Sequence, residues 1–427
     1  MTPMRGGASG DADGNAQQTG DCDGDPASGR TPRSAGGHFW PKSPGSEGGR
    51  GGRSLKGPAP QATSVWNLQG ALTLGFACLG WQSYLMRSIL PVSVCFLAAV
   101  FAVAVQPPVR AEGPLGSWTG AWLENDLVVN TDRHYTHGTL FSHLFHEHAD
   151  GDGSGPDRVA SHLPAMGLLG GFSRWGVSLG QNIYTPDDIR ATGLVVNDRP
   201  YAGYLYTSWH LIRRGDLGYD KRPVQDSWTL DLGIVGPGSG AEQAQNTVHR
   251  MRHFEEALGW GNQLQNEPAV NLKYARVFRY SSGTPGGWEA QFLPHYGASL
   301  GTVFTVAGAG AQVRGGWNLP ENFGHRNIGD LLPSTGGRSG QETSHWSALL
   351  FATMEGRAVA WNMLLDGNLY HDSHSVDKQL VVGEFKGGAT IAYRAVSLTL
   401  MQVVRSNEYD NQPSFDTYGS LSLGVSW

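Results

Sequence analysis

Two groups of polar residues, far apart in the chain, have side chains that could do chemistry together. Gln245 and His249 lie four residues apart in 241–258, a stretch of good helix formers without proline or glycine, so a helix would place both on one face. The other group is Glu124-Asn125-Asp126, at the end of a strand pattern. An imidazole that faces carboxylate and amide groups can accept a proton. A lone helical histidine is more often a surface or packed side chain, so the acidic tip is what favours chemistry.

The elements that must position these groups are read from alternation of apolar and polar residues. In 415–427, Leu421 and Leu423 fall on one face and Ser420 and Ser422 on the other, which is the period of a β-strand. Such strands occur in soluble sandwiches, where the apolar face packs on a second sheet, and in outer-membrane barrels, where it meets lipid. Alternation alone does not separate the two. An export signal, aromatic strand ends and the terminal Trp427 favour the barrel.

Twelve segments carry a strand pattern. They are 117–127, 136–146, 173–183, 203–213, 227–236, 268–280, 288–301, 304–317, 345–359, 379–394, 395–405 and 415–427. An even number returns both chain ends to the periplasmic side, so the connections after the first, third and fifth strands are extracellular, and 147–172 and 318–344 are periplasmic. The prediction is an all-β fold, a twelve-stranded antiparallel transmembrane β-barrel with a short helix in an extracellular loop.

Composition supports this prediction and excludes other classes of protein. The 61 glycines, about twice the usual share, together with 14 Trp, 14 Tyr and 15 Phe, indicate short aromatic strands joined by turns. No stretch after residue 111 approaches the length of an apolar membrane helix, so any crossing of a bilayer would use strands. The net charge of −6 argues against nucleic acid as a partner. All three cysteines, Cys22, Cys78 and Cys95, precede the predicted barrel.

The chain before the barrel divides into two parts. Residues 1–85 are interpreted as a disordered leader, or as sequence upstream of a true start at Met86, because residues 1–64 have almost no aliphatic side chains. Residues 86–111 have the pattern of a secretory signal peptide, with Arg87 at its start, an apolar centre and a small-residue cleavage site. A retained single-pass helix is the alternative. Residues 112–427 are then the outer-membrane barrel domain.

Short polar motifs follow one another in a fixed order along 112–427. They are Glu124-Asn125-Asp126, Thr131-Asp132-Arg133-His134-Tyr135-Thr136-His137-Gly138, Gly180-Gln181-Asn182-Ile183-Tyr184-Thr185-Pro186, Asp198-Arg199-Pro200-Tyr201-Ala202-Gly203, Gly236-Pro237 and Gln245-x-x-x-His249. Each motif alone is a weak signal. Together, in this order and spacing, they resemble the outer-membrane lipid A 3'-O-deacylase family, whose members are twelve-stranded barrels that use calcium to cleave the 3'-linked acyloxyacyl group of lipid A.

The resemblance implies roles for seven residues. The catalytic group would be His249, Gln245, Asn125 and Thr136. Asp126 and Glu255 would be the metal ligands, and Ca²⁺, the implied cofactor, prefers oxygen ligands of this kind. Arg190 would bind substrate, in a loop where the family can place a lysine. His249 would activate a water for direct attack on the ester, with the metal stabilising the oxyanion; no Gly-x-Ser-x-Gly elbow suggests a serine nucleophile.

The resemblance also implies a location and partners. The protein would be exported to the bacterial outer membrane and act there as a monomer on lipid A or lipopolysaccharide, among outer-membrane lipids and with no nucleic acid. Two alternatives stay open. One is a phospholipase-like barrel of broader acyl specificity, and the other is a non-enzymatic porin or structural barrel whose polar rim is incidental.

Overall fold

The computed structural model describes residues 113–125, 134–164, 168–218, 222–333, 336 and 346–427. The predicted leader (1–85) and signal peptide (86–111) lie outside these residues, and so does Asp126. The described chain forms one antiparallel sheet in which each long strand pairs with the next and the last pairs with the first, so that the sheet closes into a barrel. The predicted twelve-stranded barrel is confirmed.

The barrel has twelve long strands and two short ones. They are β1 (Trp118–Asn125), β2 (His134–Leu144), β3 (His148–Ala149), β4 (Leu168–Thr185), β5 (Ala202–Leu217), β6 (Pro223–Val235), β7 (Glu267–Phe278), β8 (Tyr280–Gly283), β9 (Trp288–Gly301), β10 (Phe304–Trp317), β11 (Trp346–Asn362), β12 (Val381–Tyr393), β13 (Val396–Arg405) and β14 (Asp416–Ser426). The short strands were not predicted: β3 pairs with β4, and β8 prolongs the pairing of β7 with β9.

In the described residues, three α-helices lie in the connections, α1 (Gly155–Ala160), α2 (Ala241–Arg252) and α3 (Met363–Asp366). None of the helices in the described part of the chain is long and apolar enough to span a membrane. The helix predicted over 241–258 is α2, and it ends six residues early. His253 takes the left-handed conformation, with φ of 58°, and the Phe254 N–H donates to the His249 carbonyl at 2.8 Å. Such a cap ends a helix, and it cannot be predicted from the helix propensities of residues 253–258.

The strands place apolar residues outward and polar residues inward, as predicted. Leu398, Leu400 and Leu423 are exposed on the outside, while Thr353 and Lys386 are fully buried inside. We call the end of the barrel where β1 begins the terminal rim, and the end where it stops the helix rim. Exposed aromatic side chains line the terminal rim, as in the girdles of outer-membrane barrels. They are Trp288, Trp317, Trp346, Tyr393 and Trp427.

The connection between β10 and β11 begins at the terminal rim but does not stay there. Its described residues 318–333, here called the plug, fold into the barrel. The Ile328 N–H donates to Glu124 Oε1 at 2.8 Å, and Asn327 Nδ2 donates to the Tyr418 hydroxyl at 2.9 Å. The sequence predicted a periplasmic loop over 318–344; in its described part, the inward carboxylates and hydroxyls of the strands bind polar groups of the plug and hold residues 318–333 inside the barrel.

A cluster of buried charges attaches the plug to the wall. Lys386, on β12, is fully buried and pairs with Asp330 of the plug and, at 2.8 Å, with Glu384. Arg357 pairs with Asp330 at 2.8 Å and with Glu355 at 2.6 Å. A buried charge is very costly unless it is paired and hydrogen-bonded. The charged strand side chains of this cluster can therefore stay buried only while the plug is in place.

Replacement of Lys386 by Met should destabilise the folded barrel by about 3–5 kcal/mol, because it leaves buried carboxylates without their partner. Urea unfolding of the refolded protein, followed by the gel mobility of folded and unfolded forms, measures the change. The double variant Asp330→Asn/Lys386→Met restores the charge balance and should recover part of the loss. Unfolding of Lys386→Met at the wild-type urea concentration would contradict this role for the cluster.

Candidate functional site at the helix rim

The helix α2 packs on the outer wall of the barrel at the helix rim. A turn at Pro237–Ser239 leads from β6 into α2, and the Ser239 carbonyl accepts a hydrogen bond from Gln181 Nε2 of β4 at 2.7 Å. A Cβ on Gly203 of β5 would lie 2.0 Å from Ser239 Oγ and 2.3 Å from the Ala241 Cβ. The start of α2 therefore rests directly on the β5 backbone, which only a glycine permits at this distance.

A small apolar cluster holds α2 against the wall. Its members come from β4, the loop 186–201 (the rim loop), α2 and the segment 253–266 (the return segment). They are Ile183, Ile189, Tyr201, Ala241, Ala257 and Trp260, with Ala244 packed against them. The Leu258 N–H donates to the Ile189 carbonyl at 2.8 Å, and the Leu264 N–H donates to that of Tyr201 at 2.9 Å. The rim loop and the return segment therefore form one packed unit with α2.

His249 is the buried imidazole of this unit. Its side chain is 3% exposed, and its Nδ1 lies 2.5 Å from the Glu255 carbonyl oxygen. A carbonyl oxygen only accepts, so Nδ1 must carry the proton in this bond, and Nε2 then holds the lone pair of the neutral ring. The cap at His253 makes this contact possible because it turns the chain back toward His249. A backbone carbonyl thus orients the ring for a reaction at Nε2.

Gln245 lies one turn before His249 on the same buried face of α2. Its Oε1 accepts a hydrogen bond from Trp260 Nε1 at 3.0 Å, which fixes the orientation of the amide. Its Nε2 is buried and makes no hydrogen bond within the described residues. A buried amide donor without a partner is costly, and a substrate oxygen or a water would satisfy it. Sequence reasoning identified Gln245, but only the fold shows that Trp260 bonds to it.

Asn125 and Thr136 meet at the tips of β1 and β2. Asn125 Nδ2 donates to the Thr136 carbonyl at 3.0 Å, and the Thr136 and Thr185 hydroxyls lie 2.8 Å apart. The register of β2 against β4 shifts between Tyr135 and His137, a bulge that redirects the Thr136 side chain. Since β4 also contacts the start of α2 through Gln181, both pairs of predicted catalytic residues are attached to the end of β4.

Glu255 and Arg190, the remaining predicted residues in the described chain, lie on the exposed side of this unit. Arg190 Nη1 is 3.6 Å from Glu255 Oε2, and the two side chains are 69% and 71% exposed. An exposed pair of this kind contributes about 0–1 kcal/mol. Within the described residues no three His, Cys, Asp or Glu side chains gather as a metal site would require. The metal roles of Asp126 and Glu255 and the substrate role of Arg190 stay predictions.

A set of buried polar contacts around Asp198 supports the rim loop. The Asp198 carboxylate accepts the N–H groups of Asp187 and Arg199, both at 2.7 Å, and the Tyr409 hydroxyl. Burial and this bond to Asp198 raise the pKa of Tyr409. The Arg199 guanidinium pairs with Glu408 at 3.3 Å. The loop between β13 and β14 therefore holds the base of the rim loop, which carries Arg190.

The substitution Gly203→Ala should push α2 away from the wall, because the new Cβ overlaps Ser239 and Ala241, at a cost of about 1–3 kcal/mol. Trypsin cleavage after the exposed Arg250 and Arg252 should become faster, while the barrel stays folded. Gly193→Ala in the rim loop is the matched control, since its Cβ would meet nothing within 4 Å. Equal cleavage rates in the two variants would show that the close contact at Gly203 does not hold the helix.

Comparison with known proteins gives a family and a fold. A family model described as "Outer membrane protein LpxR" matches residues 90–427. Among solved structures, LpxR from Salmonella typhimurium is 21% identical, with a TM-score of 0.58, and the match covers 73% of this chain and 100% of that one. At that identity the likeness shows a shared fold. The β domain of the Bordetella autotransporter BrkA is 9% identical over 74% of this chain and 100% of its own, and its TM-score of 0.36 supports no argument. No curated protein sequence matches the chain significantly.

Proposed function

Because the chain belongs to the LpxR family of outer-membrane proteins, we propose that it is a carboxylic ester hydrolase that removes the 3'-linked acyloxyacyl group of lipid A in the outer leaflet. The observation that carries this proposal is the buried His249, whose Nδ1 is bonded to the Glu255 carbonyl. One helical turn away lies Gln245 Nε2, which has no hydrogen-bond partner among the described residues. This pairing of a base and a donor on the outer wall suits an ester carried by a membrane lipid.

His249 acts as the general base in the proposed reaction. A water attacks the ester carbonyl carbon and loses its proton to Nε2, and the protonated ring then returns a proton to the leaving alkoxide. The bond from Nδ1–H to the Glu255 carbonyl keeps the ring in one tautomer and supports the positive charge that it gains. A positioned base of this kind contributes about 10²–10⁴ in rate.

Gln245 acts as a donor to the negative charge that develops on the ester carbonyl oxygen. Trp260 holds its Oε1, so the amide presents Nε2 without having to reorient during the reaction. Removing one donor of this kind typically costs about 2.7–4 kcal/mol of barrier. Asn125 and Thr136, which are bonded to each other, would orient the attacking water or add a second donor.

Calcium is the cation proposed for this site, with Asp126 and Glu255 as carboxylate ligands. When bound, it would act as a Lewis acid that stabilises negative charge on the ester oxygen. The Glu255 carboxylate is exposed, and its pair with Arg190 is weak, so exchanging that partner for a cation costs little. Arg190 is then available for a lipid A phosphate, which a guanidinium binds well.

The plug argues against the alternative that the protein is a porin. A porin requires an open lumen, but residues 318–333 lie inside the barrel and are bonded to Glu124, Tyr418 and the charge cluster. The filled lumen argues against ion conduction and leaves the outer wall as the working surface. Nothing in the described residues favours a phospholipase-like activity over lipid A deacylation, and the comparison of lipid classes in the following test separates them.

His249→Ala should lower deacylation by about 10²–10⁴-fold, because the water loses its base. The assay is mass spectrometry of lipid A and of phospholipid after incubation with the purified, folded barrel. His253→Asn is the matched control, since this exposed imidazole ends the same helix and asparagine accepts its left-handed backbone. The intact protein should release both chains of the acyloxyacyl group together and leave phospholipid unchanged. Wild-type activity in His249→Ala would overturn the mechanism.

Chelation should abolish hydrolysis, and Ca²⁺ should restore it better than Mg²⁺, because an irregular site of carboxylate and other oxygen ligands suits the larger ion. Glu255→Gln should raise the calcium concentration that gives half-maximal activity, whereas Glu256→Gln, one residue further along the return segment, should not. Full activity of the wild-type protein in excess chelator would remove calcium from the proposal.

A further inference from the structure

One flank of α2 is apolar, and within the described chain only its Ala244 packs against the wall cluster, while its larger side chains are exposed. Ala244, Val248 and Met251 share this flank at helical spacing. The side chain of Ala244 is half-buried, that of Val248 is 38% exposed and that of Met251 is 69% exposed. Exposure of these apolar side chains to water is unfavourable, so we expect this flank to contact an apolar surface or lipid.

The other sides of α2 face the barrel wall, the return segment or solvent, and this arrangement fixes the direction of the apolar flank. Ala241, Gln245 and His249 face the wall. Asn246 makes two hydrogen bonds with the backbone of Ala257, at 3.0 and 3.3 Å, so the return segment covers its side of the helix. At 100° per residue, the apolar flank lies opposite Asn246. The polar residues Gln243, Thr247 and Arg250 are exposed on the side away from the wall.

The uncovered flank points toward the apolar belt of the barrel. The return segment leads back to the rim at β7, so the opposite side of α2 faces down the wall. On β4, Gln181 bonds the turn before α2. The next outward residue below it on the same strand is Leu179, which is 50% exposed. On β5, Trp209 lies further down and is 56% exposed. The position of α2 on the wall therefore directs its apolar flank toward the surface that meets lipid.

We propose that α2 is an interfacial helix whose Val248–Met251 flank is immersed in the acyl region of the outer leaflet. Amphipathic helices lie in this way, with the apolar flank in the acyl boundary and the polar side in the headgroups. The inference deepens the proposed function, on which it rests for the location of the substrate. It names the surface from which the ester reaches His249: acyl chains enter along the flank beside the catalytic face, with no need to leave the membrane.

The test measures the depth of single labelled positions in the full chain, with Cys22, Cys78 and Cys95 replaced by Ser. Val248→Cys and Met251→Cys carry an environment-sensitive fluorophore, and Gln243→Cys and Thr247→Cys on the polar side are the matched controls. Each protein is reconstituted into vesicles of phosphatidylethanolamine and phosphatidylglycerol that contain a phospholipid with a nitroxide near the top of its acyl chain. Leu230→Cys, on the exposed belt, is the positive control for contact with lipid.

Quenching at 248 and 251 should match that at 230 and exceed that at 243 and 247 by at least about twofold. Quenching at 248 and 251 no greater than at 243 and 247 would overturn the proposal. Two labelled positions on the flank are used so that one variant that fails to fold does not decide the result. Since the measurement needs no turnover, an inactive protein with a deeply placed flank would refute only the proposed hydrolysis, and an active protein with a shallow flank would refute only this inference.

Discussion

The candidate site depends on the contact between the start of α2 and the backbone of β5 at Gly203. At that point the side chains of Ser239 and Ala241 occupy the space of a Cβ, so the start of α2 lies directly against the β5 backbone. Every later contact follows from this distance. The buried face of α2 carries Gln245 and His249 to the wall, and the return segment can close over the helix to bring Trp260 and the Glu255 carbonyl to them.

The two faces of the wall separate stability from chemistry. Inside, charged side chains pair with one another and with the plug, and these ionic contacts attach the plug inside the lumen. Outside, the contacts described for the proposed catalytic groups are with neutral groups: a backbone carbonyl for His249, an indole for Gln245 and a hydroxyl for Thr136. Neutral partners suit a site beside lipid, because a charge left unpaired there would be costly. One strand can serve both purposes because its successive side chains point to opposite faces.

Glu255 illustrates how one residue can act through two different groups. Its carbonyl oxygen orients His249, while its carboxylate is exposed beside Arg190. The backbone role depends on the turn at His253 and is independent of the side chain. The proposed role in binding a cation uses the carboxylate alone. A change of side chain at this position therefore leaves the orientation of the imidazole in place, which separates the two roles physically.

The amino-acid sequence by itself determined the barrel, the outward and inward faces of its strands and the pairing of Gln245 with His249 on one helix face. The strand faces and the helix face repeat every two residues or every three to four, so they are visible in a short window. The choice of a barrel over a sandwich came from the export signal, the aromatic strand ends and Trp427. Only the tertiary structure decided that the connection after β10 becomes a plug, that α2 stops at Arg252, and that Trp260, Tyr409 and the Glu255 carbonyl become partners of the site. The contacts that decide these features either join residues far apart in the chain, such as Asp198 and Tyr409, or depend on one turn whose backbone the surrounding packing selects. Neither kind of contact produces a periodic pattern in the local sequence, so neither can be predicted from it.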